Sequence, residues 1–219
     1  MNQQKKIKTL ILNVPITGQT YTKAIIYSLG CALFSIGASL FILSHLGTDP
    51  LDVFAVGLKK TFGLLIGTTQ SLFALVCLVI WSTLHKFKFP PLSTFLTFFI
   101  CGYLIDVCLW LTNNTSIFNP FAEMILGVVL CTISSSLIIM SGFGIRAMDL
   151  LAITFSERTS LPFWFYKGIS EVLLLISGWL LGGVVGVGTI AFLLGVGWLI
   201  QPTIRLLSNL GIPNFSSVK

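Results

Sequence analysis

The sequence predicts an all-α, polytopic membrane protein, and three observations carry that prediction. Of 219 residues, 55% are hydrophobic and only 9% charged, and the mean hydropathy is +0.96. A soluble domain carries about 25% charged residues because its surface meets water, so this chain has too little charge to cover one. Six continuous apolar runs, at 24–46, 67–84, 92–112, 121–141, 163–185 and 188–208, are each near the roughly 20 residues that cross a bilayer as a helix. The runs lack the alternation of a lipid-facing barrel strand. Helices also pair their own backbone groups where no water is available.

The elements follow in order. Residues 1–23 form an N-terminal segment with Lys5, Lys6, Lys8 and Lys23. The run 24–46 is too long and too late for a cleaved signal peptide, and Leu46-Gly47-Thr48-Asp49-Pro50 follows it in place of a small-residue cleavage site. Next comes a short segment, 50–62, too polar to cross. Thr48-Asp49 can cap it, Pro50 suits its first helical position, and Asp52 lies in its positive first turn. Spans 67–84 and 92–112 lead to an external loop at 113–120. Span 121–141 precedes a second short segment, 147–159, which keeps Asp149 but has Ala147 where a proline would stand. Spans 163–185 and 188–208 and a tail at 209–219 complete the chain. The short segments suit either interfacial helices or re-entrant ones reaching a central cavity.

Basic residues orient the chain. Six crossings place Lys5, Lys6, Lys8, Lys23, Lys86, Lys88, Arg146, Arg158, Lys167, Arg205 and Lys219 at one face, and Lys59 and Lys60 at the other. That is 11 of the 13 basic residues, so both termini are expected in the cytoplasm. The same placement accounts for the pI near 9.2 without nucleic acid.

The chain also repeats itself. Gly30 and Gly127 stand 97 apart, and at that offset Leu46-Gly47-x-x-x-Leu51-Asp52 matches Phe143-Gly144-x-x-x-Met148-Asp149. At an offset of 95, Thr94 with Gly102-Tyr103-Leu104-Ile105 matches Thr189 with Gly197-Trp198-Leu199-Ile200. Duplication into 24–112 and 121–208 follows. With three spans per half, the second enters from the opposite side, so the expected architecture is two inverted three-helix repeats, each with a short interfacial or re-entrant helix.

Leu46-Gly47-Thr48-Asp49-Pro50-Leu51-Asp52, Gly67 and Gly102-Tyr103-Leu104-Ile105-Asp106 together resemble the YczE/YyaS/YitT-like family of bacterial integral membrane proteins, over about residues 24–208. Leu51 stands where that pattern has an aromatic, and Gly144-Ile145-Arg146-Ala147-Met148-Asp149 lacks its proline. The resemblance implies a bacterial inner-membrane permease and brings no substrate with it.

Ionisable groups at membrane depth cost roughly 2.5–3.5 kcal/mol or more, so each needs a reason. Glu171 lies inside the fifth span, four residues after Lys167 on the same face. It reads as either a structural ion pair or a coupling carboxylate. Asp106 lies inside the third span, and its repeat mate is Gln201; hydrogen-bonding glue and a place on the solute pathway are both open. Asp52 and Asp149 form a symmetric pair suited to capping the short helices, while their neighbours Asp49 and Arg146 carry opposite charge and could form alternate gating pairs. Glu123, at the start of the fourth span, suits a helix N-terminus. Five cysteines (Cys31, Cys77, Cys101, Cys108, Cys131) within spans give no disulfide framework. They and the span-end residues His45 and His85 predict no metal site and no cofactor.

No enzyme signature is present: no Gly-x-Ser-x-Gly, no His-Glu-x-x-His and no phosphate-binding glycine loop. The expected function is a small secondary transporter or permease for a small-molecule substrate. A non-transporting membrane scaffold, or the substrate-binding subunit of an energy-coupling-factor transporter, are the alternatives. The partners are the lipid bilayer and that solute, and a homo-oligomer is left open.

Overall fold

In a computed structural model, residues 18–88, 92–143, 146–159 and 161–215 are described. Gly144 of the second motif, Lys5, Lys6, Lys8 and Lys219 lie outside them. The described residues form eight helices and no strand: α1 (Gly18–Ser44), α2 (Pro50–Phe62), α3 (Ile66–Leu84), α4 (Leu92–Leu111), α5 (Pro120–Ser141), α6 (Ala147–Arg158), α7 (Phe163–Leu180) and α8 (Val187–Asn209). Within α8 one π turn, Phe192–Val196, and Pro202 interrupt the regular ladder.

Five of these helices, α1, α3, α4, α5 and α8, are long and apolar enough to cross a membrane. The predicted span 163–185 is shorter in the structure. It ends at Leu180, and Gly182 turns the chain with a φ of +86°. Its 18 residues rise about 27 Å at 1.5 Å each, near the hydrocarbon thickness, but Tyr166, Lys167, Ser170 and Glu171 lower its apolarity. α7 is therefore not among the five.

Small residues set the central packing. Without a hydrophobic drive between helices in lipid, close backbone approach supplies dispersion contacts instead. α1 and α5 run antiparallel: a Cβ at Gly30 would lie 3.2 Å from the Ser134 carbonyl oxygen, and one at Gly127 would lie 3.1 Å from that of Gly37. At the end of α1, Ser44 donates back to Phe41 O (2.7 Å) and accepts from Leu46 N (3.2 Å). Ser141 does the same at the end of α5, with Ile138 O (2.6 Å) and Phe143 N (3.2 Å). Lys23 Nζ stands 5.0 Å from the Phe215 ring centroid, and Phe215 N donates to Met140 O (2.7 Å). The two described ends of the chain therefore meet at one end of the bundle.

The short helices start in the middle and run apart. Leu51 of α2 and Ala147 and Met148 of α6 share one apolar cluster with Ala74 and Cys77 from the middle of α3, Phe98 of α4 and Leu174 of α7. From there α2 runs to the turn after α7, where Lys60 Nζ donates to Gly182 O (2.9 Å) and Thr61 Oγ1 to Leu181 O (3.0 Å). α6 runs toward the C-terminal end of α3, where the Arg158 guanidinium donates to Leu84 O. Both helices begin inside the bundle.

α3 and α4 touch at backbone distance. A Cβ at Gly67 would lie 2.6 Å from Tyr103 N, and one at Gly102 would lie 2.6 Å from Gly67 Cα. No comparable packing joins α7 to α8 among the described residues, and a Cβ at Gly197 would meet nothing within 4 Å. Backbone cannot rotate aside, so Gly67→Ala should cost about 1–3 kcal/mol. Gly197→Ala should leave thermal stability level or raise it by up to about 1 kcal/mol, the helix propensity gained. Parallel thermal unfolding in detergent checks the pair, and equal losses would contradict the packing difference.

Candidate functional site

A helix N-terminus leaves four backbone amides without intrahelical acceptors, and α2 and α6 present theirs amid apolar side chains. At α2, Asp49 Oδ2 accepts from Leu51 N (3.2 Å), and Pro50 has no amide hydrogen to satisfy. At α6, Arg146 occupies the capping position without a side-chain cap, and Asp149 supplies the first-turn carboxylate.

The acidic pair is matched in position and opposite in company. Asp52 is 1% exposed; its Oδ1 accepts from Gln70 Nε2 of α3 (2.6 Å), and its Oδ2 is buried without a hydrogen-bond partner. Burial, then the nearby Asp49, pushes this carboxyl well above the usual carboxylate range. Asp149 has two cations: Arg146 Nε donates to its Oδ2 (3.0 Å), and Lys167 Nζ of α7 stands 3.6 Å from its Oδ1. Burial opposes ionisation there too, but Arg146 and Lys167 outweigh it and hold the group below its ordinary value. Lys167 also stands 3.8 Å from Glu171 Oε1, and the Glu171 side chain is 18% exposed. Asp49 lies within electrostatic reach of Arg146, Lys167 and Asp149. Six charge-capable groups thus converge where α2, α6 and α7 meet: four carboxyls and two cations.

Of the residues singled out in the sequence, Asp49, Asp52, Arg146, Asp149, Lys167 and Glu171 gather here, and two do not. Asp106 lies near the end of α4, where Oδ1 pairs with Lys59 Nζ (3.3 Å) and Oδ2 accepts from Gly67 N (2.8 Å). α3 has no side-chain cap of its own, so Asp106 caps it from a neighbouring helix. Gln201 is exposed on α8. Arg146 and Lys167, counted above as orientation markers, are held in the cluster.

Gln70 joins the cluster unannounced, and Glu123 stands at the helix start where the sequence placed it. Gln70 carries no charge, but it stands 97 residues before Lys167, and that offset was the available signal. Glu123 is fully buried and accepts from Ile117 N (2.7 Å) and Phe118 N (3.1 Å), which ties the α4–α5 loop to α5. Beside the second half of α2, a largely apolar cavity of about 270 Å³ is lined by Phe41, His45, Thr48, Lys59, Lys60 and Leu109 among others.

Relatives share this chain over most of its length. The uncharacterized protein YyaS of Bacillus subtilis is 29% identical over 172 residues, 77% of this chain and 85% of the relative. An uncharacterized protein of Haemophilus influenzae is 25% identical over 180 residues, 82% of each. The uncharacterized membrane protein YczE of Bacillus subtilis is 26% identical over 166 residues, 75% of this chain and 77% of the relative. No solved structure matches. With its five long apolar helices and a membrane protein among its homologues, the chain is a multi-pass membrane protein. The family model for DUF6198, a family of unknown function, matches residues 21–205. Because that range takes in the charged cluster and reaches into every helix described above, the chain belongs to DUF6198.

Proposed function

We propose that this protein is a small secondary transporter or permease of the bacterial inner membrane. It moves a small solute by alternating access past the cluster where α2 and α6 meet. In this reading α7 is the sixth span, both termini are cytoplasmic, and residues 24–112 and 121–208 are inverted repeats about an axis in the membrane plane.

What supports the repeat is a correspondence of contacts rather than of letters. In a two-fold arrangement, a contact between one residue and a second implies one between their mates. Gly30 faces Ser134 and Ile138; 97 residues on, Gly127 faces Gly37 and Phe41, which stand 97 before those two. Ser44 with Phe41 and Leu46 corresponds to Ser141 with Ile138 and Phe143. Asp52 with Gln70 corresponds to Asp149 with Lys167. α2 packs on α7, and α6 packs on α3.

The single observation that carries the transport reading is the pair of short helices meeting N-terminus toward N-terminus around charged groups. Broken helices that end near the midplane between repeats form the solute and ion sites of many secondary transporters. The halves also differ in closure: α3 is tight on α4, and α7 is not comparably packed on α8. Alternating access requires such an inequality in any one state. The meeting of Lys23 with Phe215 at one end of the bundle supports placing both termini on one side.

Reporter fusions at residue 219 and in the 113–119 loop should report opposite sides of the membrane. The same side for both ends the six-span reading. Vesicles reconstituted with the protein should show flux for one class in a panel of small solutes under a proton gradient. Glu171→Gln, which keeps shape and removes charge, should lower gradient-driven flux at least tenfold while the protein stays monodisperse. No flux for any class, or normal flux in Glu171→Gln, contradicts the corresponding part of the proposal.

A further inference from the structure

Asp52 and Asp149 occupy the same place in their respective segments and have unequal company. Asp149 faces a lysine and an arginine, whereas Asp52 faces the amide of Gln70. Around Asp52 the remaining titratable groups are acidic or neutral: Asp49 in the preceding loop, Asp106 on α4, Cys101 on α4 and Cys131 on α5. Arg146 and Lys167 are already engaged by Asp149, and Lys167 also by Glu171. Lys59, on the same helix as Asp52, is held by Asp106.

An ionised carboxylate in this position would have one amide donor, a second oxygen buried without a partner, and no cation in contact. Buried groups so placed take up a proton instead of bearing charge. The charge count points the same way: four carboxyls against two cations would leave two negative charges in a low-dielectric interior, and a proton on Asp52 halves that excess.

We propose that Asp52 is a proton-binding site, neutral in the state described, and that the proton is the coupling ion of the transport cycle. This rests on the transport reading for its purpose but not for its detection. In the cycle, the Asp52 carboxyl releases its proton to water and becomes a carboxylate when the halves move and Arg146 or Lys167 comes within pairing distance. It regains a proton from water at the other face when that cation returns to Asp149. One proton is taken up and one released, and no other bond changes.

Infrared spectroscopy of the purified full-length protein in lipid nanodiscs at neutral pH tests this directly. Wild type should show a protonated-carboxyl C=O band that Asp52→Asn removes and Asp149→Asn leaves in place. Gln70→Leu guards against misfolding of the first variant: it keeps Asp52 and deletes its donor, so the band should persist and move to higher frequency. A band that survives Asp52→Asn, or that Gln70→Leu leaves unmoved, overturns the assignment, as does a wild type with no such band. The infrared result does not depend on flux. A protein that shows the Asp52 band but carries no solute therefore sinks the transport reading alone.

Discussion

Two helices begin inside the bundle, and most of the structure follows from the need to satisfy their first turns. Backbone amides without acceptors cost several kcal/mol each where there is no water. At α2 the sequence meets this with Asp49 as cap, Pro50 in place of an amide hydrogen, and Asp52 in the first turn. Acidic side chains buried for that purpose then need compensation of their own. Gln70, Arg146 and Lys167 supply it unequally. The charged cluster is therefore a consequence of burying helix starts, and its chemistry arises from how incompletely the carboxyls are paired.

Holding those helices in place requires walls that fit closely. The α1–α5 and α3–α4 pairs approach at backbone distance through Gly30, Gly37, Gly127, Gly67 and Gly102. Asp106 adds an electrostatic tie by capping α3 and holding Lys59 of α2. α8 is looser. Its π turn and Pro202 free backbone carbonyls and permit bending, and much of its surface, including Trp198 and Leu206, is exposed. The close-packed α1–α5 and α3–α4 pairs thus stand beside a last helix that can bend.

Much of this was legible in the sequence, for identifiable reasons. The span limits came from continuous apolarity, which lipid enforces, and α3, α4 and α5 begin and end within a residue or so of the predicted runs. α7 departs because its end is set by the turn at Gly182 and not by a change in hydropathy. Depth along a span singled out Asp106 but could not name its partners, because the N-terminus of α3 and Lys59 of α2 reach it only through the fold. Asp49, Asp52, Arg146 and Asp149 could be placed near one another only through the repeat. Gln70 was missed because polarity without charge gave no alarm in the middle of an apolar run.

The central claim is that α2 and α6 meet start to start in the middle of the bundle, and cysteine crosslinking in membranes tests it most directly. In a background with Cys31, Cys77, Cys101, Cys108 and Cys131 replaced by alanine or serine, the pair Leu51→Cys and Met148→Cys should form an intramolecular disulfide with an apolar oxidant. The pair Phe62→Cys and Arg158→Cys, at the far ends of the same helices, should not. Crosslinking of the second pair but not the first would mean that the two short helices lie side by side at one surface, and the account of the site would be wrong.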